Sequence, residues 1–97
     1  MHARMLLDGD GRSFELLLVN DVERGGQSLE LWDVGPAPGR GLTMEAFRDE
    51  DGQRFTASSF TREDVPMNVL EWFVTTARRL LDTERGTVPP VGGSPSR

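Results

Sequence analysis

The sequence predicts an α+β domain, an antiparallel meander of four to five strands with one long C-terminal helix packed on one face. Three observations predict it. Residues 66–84 (PMNVLEWFVTTARRLLDTE) are the longest stretch with a helical period. Nothing before residue 60 shares that period; the runs there are short and apolar or alternate with a period of two. Clusters of Gly, Asp and Pro separate those runs and turn the chain.

Taken in order, residues 4–7 are a short apolar run ending in Asp8, Gly9, Asp10 and Gly11, a dense turn signal. Residues 14–19 (FELLLV) follow, and the pair reads as a hairpin. Residues 20–27 are polar and read as a loop, with Gly25 and Gly26 inside it. Residues 29–34 (LELWDV) alternate, so this strand has two different faces. Residues 35–41 (GPAPGRG) exclude regular structure, because proline removes a donor and glycine removes stiffness. Residues 42–48 (LTMEAFR) alternate again. Asp51 and Gly52 supply a hairpin tip, and residues 55–60 (FTASSF) return as the last strand. Thr61 or Asp64 is placed to cap the helix, with Pro66 in its first turn, where a missing donor costs nothing. At 100° per residue, Val69, Leu80, Phe73, Ala77, Leu70, Leu81 and Val74 fall in one apolar arc. Trp72 lies outside that arc, and either covers the sheet edge from the flank or stands exposed. A helix of ~19 residues is ~28 Å long and spans such a sheet. Gly86 suits a left-handed cap. Residues 1–85 therefore form a single α+β domain, and residues 86–97 (GTVPPVGGSPSR) read as a flexible tail.

Composition narrows the function. A folded part this short buries only ~60–65% of its unfolded surface, so it needs each of its five Phe and two Trp. Sixteen acids against eleven bases give a formal net charge of −5. That balance disfavours phosphate backbones and anionic membranes and favours a basic partner. The absence of cysteine excludes disulfides and thiolate metal sites. Residues 1–12 lack an apolar signal segment, and no run approaches ~20 apolar residues, so a cytoplasmic protein is expected.

A sheet covered by one helix has a second face. With Phe14, Leu16, Leu18, Leu29, Leu31, Leu42, Met44, Phe55 and Ala57 toward the helix, the other face carries Glu15, Leu17, Val19, Glu30, Trp32, Thr43, Glu45, Phe47, Thr56, Ser58 and Phe60. An open face should be polar. This one mixes three carboxylates with Trp32, Phe47 and Phe60. Rings that anchor amid charges that steer suit a basic protein partner. A register slip of one residue, a bulge or a homodimer would hide the same rings.

Catalytic readings are poor. Asp8, Asp10 and Glu15 lack the third ligand position, the later glycine and the terminal glutamate of a calcium loop. His2 is the only histidine, and the chain has no lysine. Ser58 and Ser59 have no evident base. Residues 35–41 lack the lysine and hydroxyl of a phosphate loop. Glu30 and Glu45 on neighbouring strands have the chemistry of an acid and base pair, yet such pairs are more often a solvated face. No enzymatic activity, metal or cofactor is expected.

The strand meander, the polar strand FTASSF and the Pro-initiated amphipathic helix VPMNVLEWFVTTARRLL, over roughly residues 42–83, resemble the layout of small acidic immunity proteins of bacterial polymorphic toxin systems. The resemblance implies a protein that binds one cognate basic toxin and blocks it with acidic side chains. Such families share no catalytic residues, so the contact residues come from the face itself: Glu30, Trp32, Glu45 and Phe47, with Asp49, Glu50 and Asp51 at the rim. A dimeric secretion chaperone or adaptor shares the size and charge. The layout also resembles the single-stranded-DNA-binding coactivator fold, with Trp32 and Phe47 as base platforms, but the carboxylates oppose a phosphate backbone.

Overall fold

The computed structural model describes residues 2–6, 12–35, 40–52 and 54–82. Five strands, β1 (His2–Leu6), β2 (Ser13–Asp21), β3 (Gly26–Gly35), β4 (Gly41–Asp49) and β5 (Phe55–Ser59), precede a helix, α1 (Met67–Ala77). They pair antiparallel in chain order. Four of them, β2–β5, carry the described side chains of the sheet, and β1 adds its backbone along β2.

Short connections let neighbours pair in sequence. The expected polar loop over residues 20–27 is tighter than its composition suggests. β2 runs on to Asp21 and β3 starts at Gly26, leaving a four-residue turn closed by Gly25 N–H to Val22 O at 3.2 Å. Gly25 takes φ of 70°, where a side chain would be strained. Gly26 is required for a different reason. A Cβ there would run into the Arg48 carbonyl oxygen and stand 2.8 Å from the Phe47 ring, so the two strands approach closely only at a glycine.

Alternation puts Phe14, Leu16, Leu29, Leu31 and Ala46 under the helix, where they are buried with Val69, Phe73, Ala77 and Leu81. Leu18, Met44, Phe55, Leu70, Trp72 and Leu80 pack around that core. Trp72 therefore covers the core from the flank. Leu42 departs from its expected place toward the helix. The register slips between Leu31 and Trp32, so Leu31 faces Met44 but Trp32 faces Leu42, leaving Thr43 without an opposite residue. One extra residue inverts the alternation beyond it.

The helix is shorter than the expected stretch over residues 66–84. α1 has eleven residues and continues as a five-residue π turn, Arg78–Asp82; residues 83–86, with the proposed Gly86 cap, lie outside the described residues. The core row Val69, Phe73, Ala77, Leu81 steps by four and drifts ~40° per step at α-helical pitch. The wider i→i+5 turn winds less per residue and brings Leu81 back over the sheet. The expected capping by Thr61 or Asp64 does not occur. Pro66 is the N-cap, with no side-chain cap, and its carbonyl accepts from Val69 and Leu70, each at 3.0 Å. The Thr61 hydroxyl instead accepts from Glu63 N–H at 2.9 Å.

Candidate functional site

The strand register assembles the second face in rows. Leu17, Glu30, Glu45 and Ser58 lie side by side, as do Val19, Ser28, Phe47 and Thr56, and Glu15 lies beside Trp32. The four central residues expected from the sequence, Glu30, Trp32, Glu45 and Phe47, are thus brought together on β3 and β4, all half-buried. Glu30 and Glu45 are directly opposed, a like-charge pair that destabilises a sheet unless neutralised.

One neutral donor and one cation relieve it. The Trp32 indole N–H donates to Glu30 Oε1 at 2.9 Å. Arg24 reaches from the β2–β3 turn and donates to Glu45 Oε2 at 2.6 Å, to Asp21 Oδ2 at 2.6 Å and to the Ser28 hydroxyl at 3.0 Å. Its guanidinium lies 4.2 Å from the Phe47 ring centroid. The contact to Glu45 is the main reason the Arg24 guanidinium is held more firmly charged than usual, with Asp21 adding to it. Arg24 in turn holds the Asp21 carboxyl below the usual carboxylate range. Ser28 sits beneath Arg24 and is buried. Arg24 is the residue that sequence reading missed; it sits in a turn, and only the register shows that the turn folds back over Phe47.

The rim residues divide. Asp49 serves the β4–β5 turn, where its carboxylate accepts from Arg54 N–H at 3.1 Å and its carbonyl from Gly52 N–H at 3.0 Å. Glu50 and Asp51 are exposed. Glu50 N–H donates to Gly25 O at 2.8 Å, which ties the two hairpin turns together at one end of the sheet. Phe60, counted on this face, is 55% exposed just beyond β5.

A second ionic group lies at the opposite end, on the helix side. Asp33 is 1% exposed and takes Arg12 Nη2 on Oδ2 at 2.8 Å, with Arg40 Nη1 4.0 Å from the same oxygen. Arg12 also donates to the Asp64 carbonyl at 3.1 Å and stacks 4.9 Å from Phe14. Arg40 continues to Glu63 at 3.5 Å. The group pins the start of β2 and the end of β3 to the segment that enters α1.

Among the described residues no group of His, Cys, Asp or Glu is arranged to hold a metal ion, and no helix is long and apolar enough to cross a membrane. Compared with family models, curated proteins and solved structures, the chain matches none.

Proposed function

We propose that the chain is a protein-binding module whose open sheet face, centred on Glu30, Trp32, Glu45 and Phe47, recognises a basic partner. In its most concrete form it is a cytoplasmic immunity or inhibitor protein that neutralises a basic toxin encoded beside it. One observation carries the reading: Glu45 and Phe47 already hold a guanidinium, that of Arg24, between a carboxylate and an aromatic face. Paired carboxylate and ring contacts are how arginine side chains are recognised at interfaces. Arg24 is 45% exposed in its side chain and sits in a turn, so a partner arginine can take its place. Glu50 and Asp51 stand exposed at the end of the sheet where the two turns meet, and add negative potential that steers a basic surface inward.

The test is complex formation with the product of the adjacent gene. Tight binding that fails in a Glu30→Ala, Trp32→Ala double variant, with the melting temperature moved by no more than a few degrees, supports the reading. Undiminished binding by the double variant removes this face from the interface. A chain that elutes at twice its monomer mass with this face covered favours the dimeric chaperone instead.

A further inference from the structure

We propose a second interaction surface: the outer edge of β5 docks an extended, acidic-flanked segment of another protein as an added strand, whose apolar side chains enter the groove between β5 and α1. Among the described residues β5 is the last strand of the sheet. Phe60 N–H donates to Thr43 O at 2.8 Å and continues the register in which Ser59 faces Met44. Alternate residues of an antiparallel strand turn N–H and C=O to the same side. Thr56 and Ser58 therefore share Phe60's direction toward β4, and Phe55, Ala57 and Ser59 present their backbone groups to the outside. Edge strands are commonly blunted by a charge, a proline or a bulge. Phe55–Ser59 (FTASS) has no charge and no proline, and its pairing with β4 is in continuous register.

Beside this edge lies a groove of about 210 Å³, lined chiefly by Ala46, Phe55, Ala57, Phe73, Val74 and Ala77. It exceeds the ~150 Å³ of an apolar cavity that admits benzene. Ala57 and Val74 are exposed although both belong to the apolar side of the fold. Every second side chain of an added strand, ~6.8 Å apart, would fall in line with Phe55, Ala57 and Ser59 above this groove.

Charge selects the occupant. Arg54 and Arg62 flank β5, and Arg78 lines the groove; all three are exposed. Among the described residues none of the three forms an ion pair, whereas Arg12, Arg24 and Arg40 all do. A second copy of the chain would set these arginines against their own equivalents. A partner strand with apolar or small side chains in alternation and carboxylates at its ends would satisfy them. The surface is independent of the acidic face, since Glu45 and Phe47 point to the other side of the sheet.

The experiment uses the full chain labelled with nitrogen-15 and two extended peptides of alternating valine and threonine, one flanked by glutamates and the other by lysines. The glutamate-flanked peptide should slow amide exchange at Phe55, Ala57 and Ser59 at least about tenfold, equivalent to ~1.4 kcal/mol. Ala57→Pro removes one outward donor at a position where an edge strand tolerates proline, and should abolish the effect. Arg78→Glu, on an exposed helix position, should shift preference toward the lysine-flanked peptide. The proposal is overturned if neither peptide protects these amides or both protect them equally. It is also overturned if they are already protected in a chain that sediments at twice its mass, because a second copy then holds the edge.

Discussion

At the scale of single residues, the decisive groups are arginines bound to buried or half-buried carboxylates. Asp33 lies almost wholly out of water and faces Phe14 across the strands, so its charge depends on Arg12. Removing one partner of a buried pair leaves an uncompensated charge and costs ~3–5 kcal/mol. Arg12→Ala is expected to fall in that range by urea denaturation, and Asp33→Asn to cost less, because the Arg12 guanidinium it leaves behind is 15% exposed and still donates to the Asp64 carbonyl. Equal losses would mean that Arg12 acts through its packing on Phe14 instead. The Arg24 network makes a pH prediction. Asp21 is held below the ordinary value of ~3.9. Its contribution is therefore fully present above that value and is lost as the pH falls through the lower, folded one. An acid titration of stability should show a step below about pH 4 that vanishes in Arg24→Ala. Neither arginine was legible from periodicity. The alternation of LELWDV sets Asp33 in phase with Leu29 and Leu31 on the covered face, but nothing in it shows what pairs the carboxylate there, because its ion-pair partner is 21 residues away.

At the scale of elements, the strands were legible because their periods were simple, and the deviations came where one residue broke a period. The alternation of LTMEAFR placed Met44 correctly beside the core and Leu42 wrongly, since Thr43 is the extra residue of a bulge. The helix was legible as a periodic stretch, and its π turn was not, because a row stepping by four reads the same whether the helix drifts or unwinds. Gly26 is the element-scale test. Gly26→Ala forces a methyl into the β4 backbone and the Phe47 ring, and overpacking of this kind costs ~1–3 kcal/mol or more. The expected result is a lower melting temperature together with loss of the Arg24 contact over Phe47. An unchanged melting temperature would show that β3 and β4 separate easily at that end.

At the scale of the whole molecule, one helix covers one side of the sheet and leaves a charged, aromatic face on the other. The composition pointed to such a surface, through a net charge of −5 with rings on alternating positions. It did not indicate that the face supplies its own arginine, nor that three exposed arginines, Arg54, Arg62 and Arg78, lie about β5 and its groove. The two surfaces call for partners of opposite charge. The most direct measurement is therefore a map of amide shifts in the labelled chain as the proposed partner, the product of the adjacent gene, is added. Binding through the sheet face predicts shifts at Glu30, Trp32, Glu45 and Phe47, with release of Arg24 from Glu45. Shifts confined to Phe55–Ser59 and α1, with the sheet face unmoved, would contradict it.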